Sequence, residues 1–109
     1  MRFLEAQGAK VDALNKNGVT PLYIAAQEGH LEVVQFLVAQ GAKVDVPRSD
    51  GVTPLFVAAQ YGHIEVVRFL VDAKADLNTA WNGKTPLAVA VQESHGEVAA
   101  LLRAAGAKE

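Results

Sequence analysis

Apolar residues recur along the chain at helical spacing, in pairs of short runs. Leu22, Ala25 and Ala26 form one run; Leu31, Val34, Leu37 and Val38 form the next. Spacings of three and four place such residues on one helix face. Gly29-His30 separates the runs and Gly41 closes the second. Glycine tolerates the left-handed backbone that ends a helix. The pattern therefore predicts a short helix, a tight turn and a second helix. Thr20 can cap the first helix through its hydroxyl. Pro21 follows at the first helical position, where its missing N–H costs nothing. From Ala42 to Asp50 the helical period is lost, and Pro47, Ser49 and Asp50 predict an extended loop with a turn at its tip.

The whole pattern repeats. Gly18-Val19-Thr20-Pro21-Leu22 returns as Gly51-Val52-Thr53-Pro54-Leu55, then as Gly83-Lys84-Thr85-Pro86-Leu87, at offsets of 33 and 32 residues. Residues 18–45 laid on 51–78 agree at 17 of 28 positions, beyond chance. Gly8-Ala9-Lys10-Val11-Asp12 matches Gly41-Ala42-Lys43-Val44-Asp45. The expected organisation is one array over 1–109: a partial unit at 1–17, then units at 18–50, 51–82 and 83–109. Isolated helices under about 12–15 residues are marginal in water. Ala25-Ala26 and Ala58-Ala59 let neighbouring helices approach closely, so stacked units can share one core.

Composition narrows the function. The 109 residues are 50% hydrophobic but 6% aromatic, so Ala, Val and Leu do most of the packing. A net charge of -2 argues against general nucleic-acid binding, which needs a basic face. The absence of cysteine excludes disulfides, Cys-ligated zinc and Cys nucleophiles. Nothing approaches the roughly 18 apolar residues of a membrane span, and Glu5 interrupts the region where a signal peptide has its apolar run. The expectation is a soluble intracellular protein.

Thr20-Pro21-Leu22-Tyr23-Ile24-Ala25, Thr53-Pro54-Leu55-Phe56-Val57-Ala58 and Thr85-Pro86-Leu87-Ala88-Val89-Ala90, with Gly29-His30, Val33-Val34 and Gly41-Ala42, resemble the ankyrin repeat family. The resemblance covers essentially the whole chain. It implies an all-α solenoid of helix-turn-helix pairs with projecting β-turn loops. Departures are informative. Tyr23, Phe56 and Ala88 replace the signature histidine, so packing must replace its bond to threonine. Asn15, Arg48 and Ala80 replace the aspartate that opens each turn. Lys74 and Ser94 stand at glycine positions, and a left-handed lysine should cost about 1 kcal/mol. Gly96 weakens the start of the last helix. The residue deleted before Trp81 should change the shape of that turn.

Candidate chemistry is sparse. His30, His63 and His95 recur in register, but stacked helices lie about 8–10 Å apart and zinc needs ligands at about 2 Å. They are expected to be structural. Ser49 and Ser94 lie in no nucleophile elbow. Glu32, Glu65 and Glu97 form a solvated row. No phosphate loop is present. The expected protein is therefore not an enzyme and uses no cofactor or metal.

The resemblance implies a protein partner docked on the concave side, formed by turn tips and first helices. Carried over by position, the tips are Lys16, Asn17 and Val19; Ser49, Asp50 and Val52; Trp81, Asn82 and Lys84. The helices add Gln27 and Glu28, Gln60 and Tyr61, and Gln92 and Glu93. Differences between copies cluster there: Glu28 becomes Tyr61 and then Glu93. Tyr61 and Trp81 are the sharpest candidates, because such aromatics are frequent binding hot spots; Trp81 has the alternative of folding back over its shortened loop. Lys16, Arg48 and Lys84 form a modest basic stripe suited to an acidic partner. The alternative reading is an engineered or excised array with no partner of its own. Leu22, Ile24 and Ala26 are expected to be poorly covered at the N-terminal end, which could self-associate weakly, whereas Ala99, Ala100, Arg103, Ala104 and Ala105 read as a mild cap.

Overall fold

The computed structural model describes residues 13–16 and 18–108; of the partial unit expected at 1–17, residues 1–12 and Asn17 lie outside them. Among the described residues six α-helices form in three pairs: α1 (Pro21–Glu28) and α2 (Leu31–Ala39), α3 (Pro54–Gln60) and α4 (Ile64–Asp72), α5 (Pro86–Gln92) and α6 (Gly96–Ala104).

The three first helices start identically. Thr20, Thr53 and Thr85 each accept at 3.1 Å from the backbone N–H of Tyr23, Phe56 and Ala88. Proline follows each cap at the first helical turn. The ends repeat as well. Gly29, Gly62 and Ser94 adopt φ of 74°, 75° and 65°, and Lys74 takes 72° where Gly41 and Gly106 take 97° and 99°. The expected left-handed lysine is thus present, at an exposed position.

Packing supplies the stability that helices this short lack. α1, α3 and α5 stack in one layer and α2, α4 and α6 in a second, with the members of each pair in contact. Leu22, Leu37, Leu55, Leu70, Leu87 and Leu102 lie at the centre, almost wholly buried. Each such leucine contributes about 1.5–3 kcal/mol. Tyr23 and Phe56 occupy the histidine positions and are buried among them.

The units are also tied by polar contacts. The Nε2–H of His63 donates to the Gln27 carbonyl at 2.9 Å, and that of His95 to the Gln60 carbonyl at 3.1 Å; a carbonyl only accepts, so Nε2 carries the proton. These histidines do the structural work expected of them. Along the opposite edge, the Asp45 carboxylate accepts from the Asp76 N–H at 3.1 Å, and Asn78 Oδ1 accepts from the Lys108 N–H at 2.9 Å.

Candidate functional site

The turn tips follow directly from the loop sequences. In the first turn Asn15 exchanges bonds with Val19: its N–H donates to the Val19 carbonyl at 2.9 Å, and its Oδ1 accepts from the Val19 N–H at 3.2 Å. Asn15 thus fills the role of the missing aspartate. In the second, the Arg48 N–H donates to the Val52 carbonyl at 2.7 Å. The third is shorter, as the deletion requires. Trp81 and Lys84 exchange both backbone bonds, at 2.8 and 3.0 Å. Asn82 and Gly83 between them have φ of 54° and 79°. This is the Asn-Gly turn whose twist matches a tight hairpin. Asn82 therefore has a conformational reason to be present as well as an exposed side chain.

The predicted surface divides when placed on this frame. Val19 and Val52 are 4% and 2% exposed. They are corrected from partner contacts to core residues, because the bond pairing across each turn directs them beneath the tip. Trp81 is half-buried and meets Phe56 edge-on, with ring centroids 5.8 Å apart. It therefore braces its neighbour and keeps only part of its surface for contact. Lys84 is half-buried, as are Gln27 and Gln60, whose carbonyls hold the histidines. Lys16, Glu28, Ser49, Asp50, Tyr61, Asn82, Gln92 and Glu93 are exposed. Asn17 lies outside the described residues.

Tyr61 is the large side chain most available on this side, 51% exposed. Its ring lies 6.3 Å from that of His63, and the two share a shallow recess of about 390 Å³ with Gln27 and Glu28.

The basic stripe is interrupted. Arg48 donates to both carboxylate oxygens of Asp50 at 2.8 and 2.7 Å. Those bonds hold the Asp50 carboxyl below the usual carboxylate range and raise the Arg48 pKa. Arg48 also sits 5.6 Å from the centre of the Tyr23 ring. Among the described residues the buried Tyr23 hydroxyl has no partner at full hydrogen-bond geometry, and burial raises its pKa although nearby Arg48 opposes the shift. Sequence reasoning missed this cluster, which joins one turn to the preceding helix.

The expected exposure of the N-terminal end is corrected in part. Leu22 and Ala26 are fully buried, and Ile24 is 40% exposed. The C-terminal end is less closed than its alanines imply, since Val91 is 46% exposed. Among the described residues no group of three or more His, Cys, Asp or Glu is placed to hold a metal, and no helix is long and apolar enough to cross a membrane.

A family model described as ankyrin repeats (3 copies) matches residues 1–80 and again residues 47–109. A comparison with curated proteins finds no match.

Proposed function

The chain belongs to the ankyrin repeat family, and from that premise we propose that its concave side binds a protein partner without catalysis or cofactor. Ankyrin repeats are generally protein–protein interaction modules and generally non-catalytic. The observation that carries the reading is Tyr61: a half-exposed aromatic at a helix end, beside a recess and next to Glu28, with no role in the core. A rigid scaffold leaves such positions free to vary, which suits recognition. Glu28 shares its recess; the exposed Ser49, Asp50, Gln92 and Glu93 of the other units offer adaptable polar contacts, and the accessible part of Trp81 adds apolar area. Lys16 and Lys84 steer an acidic partner, since Arg48 is already neutralised by Asp50.

The test is affinity capture with the immobilised chain, then titration of the purified partner against parent and Tyr61→Ala. A hot-spot tyrosine costs at least about 2 kcal/mol, about 30-fold in affinity. Undiminished affinity for Tyr61→Ala and Glu28→Ala alike would remove the concave reading. Capture of nothing would favour the other reading, an excised or engineered array with no partner of its own.

A further inference from the structure

Each described boundary between repeats uses the same contacts, and among the described residues the N-terminal face of the first helix pair carries the same set with no pair packed on it. Val57 and Val89 are both 3% exposed, but their counterpart Ile24 is 40% exposed. Val66 and Val98 are 1% and 2% exposed, but their counterpart Val33 is 43% exposed. His63 and His95 donate to carbonyls of the preceding pair, while His30, which precedes α2 in the same way, is exposed. Ile24, Val33 and His30, with Leu14, line a recess of about 490 Å³.

The opposite face is not its complement. At the described boundaries the preceding pair offers a fully buried alanine, Ala26 or Ala59. Three residues on it offers a left-handed glycine, Gly29 or Gly62, against which the next histidine ring lies. There is no room for more: a Cβ on Gly62 would lie 2.6 Å from His95 Nδ1. On the last pair the alanine is Val91 and the glycine is Ser94. Ser94 keeps the same backbone, with φ 65° and its N–H bonded to the Val91 carbonyl at 3.0 Å. Its Cβ therefore stands where an incoming His30 ring would pack.

We propose that the exposed N-terminal face of α1 and α2 docks the C-terminal-type face of another ankyrin repeat, one with glycine at the left-handed cap and alanine three residues earlier. Val91 and Ser94 exclude the chain's own last repeat from that role, so copies do not stack head to tail. Continuity with the internal boundaries supplies the occupant: apolar contact at 24 and 33, and a backbone carbonyl for His30. The face is separate from the concave side, and its test leaves Tyr61 untouched, so the two readings fail independently.

The probe is the same chain carrying Val91→Ala, Ser94→Gly and Ile24→Glu; the last change blocks its own N-terminal face. Light scattering should show parent alone and probe alone at one chain mass, 11.5 kDa, and their mixture at twice that. Ile24→Glu or Val33→Glu in the parent should abolish the complex. Both positions are partly exposed, and circular dichroism verifies that each variant folds. Absence of a complex would overturn the proposal, including the case in which residues 1–12 cover the face. Two other results would do the same: assembly of the parent alone, or equal binding by Ile24→Glu with Val91 and Ser94 intact.

Discussion

Substituting alanine at Gly62 and at Gly41 separates two costs that look alike in sequence. Both glycines are left-handed, with φ of 75° at Gly62 and 97° at Gly41. An L side chain in that region costs about 1–2 kcal/mol. At Gly41 nothing lies within 4 Å of the added Cβ, so the backbone term is the whole effect. At Gly62 the Cβ would meet His95 Nδ1 at 2.6 Å and Cε1 at 2.7 Å. The imidazole must move, losing its 3.1 Å bond to the Gln60 carbonyl. That bond is worth about 1 kcal/mol, and forcing the packed ring aside costs about 1–3 kcal/mol more. Gly62→Ala should therefore exceed Gly41→Ala by roughly 2–4 kcal/mol. In urea, with a mid-range slope of about 2 kcal/mol/M for a small domain, the midpoints should differ by about 1–2 M. Adding His95→Ala to each variant completes the cycle: the Gly62→Ala penalty should fall toward that of Gly41→Ala. Equal penalties at the two glycines, or no relief from His95→Ala, would show that the histidine ring does not wedge the repeats together. The last repeat already contains the complementary case. Ser94 holds the same left-handed turn with a Cβ in place, and no described helix pair follows to supply a histidine.

Further outcomes test the remaining local features. Tyr23→Phe removes a buried hydroxyl that has no partner at full hydrogen-bond geometry among the described residues and places at 23 the residue already present at 56, so thermal unfolding should show a gain of about 1 kcal/mol. It should also flatten the alkaline limb: below pH 10.0 the phenol is neutral in both states, and above it the unfolded chain ionises first, so the parent loses stability as pH rises toward the raised folded pKa. Lys74→Gly relieves a left-handed lysine at an exposed position and should raise the urea midpoint, for about 1 kcal/mol. The Asp50 carboxyl, held low by Arg48, should contribute stability above the unfolded value of 3.8 and lose it as pH falls through the lower folded pKa. Carboxyl-detected NMR should follow that titration, and Arg48→Ala should return it toward the free value.

The repeat period, the helix pairs and their caps were legible because each rests on residues close in sequence. Thr-Pro caps, glycine ends and the three- and four-residue apolar spacing act through local backbone geometry. The left-handed lysine at 74 was legible for the same reason, since two sister positions are glycine. The direction of side chains at the turn tips was not. Position in the turn alone puts Val19 and Val52 on the surface, yet both are buried in the folded chain. Asn82-Gly83, by contrast, carries its tight turn in local sequence alone.

Contacts between repeats were decided only by the tertiary structure. Which histidine reaches which carbonyl, how Trp81 meets Phe56, and that Arg48 spends its charge on Asp50 all depend on how one unit lies against the next. The same is true of the two ends. A repeating sequence makes Ile24 equivalent to Val57, but only stacking makes one half-open and the other closed. Local pattern determines what each helix can bury; neighbours in space determine what it does bury.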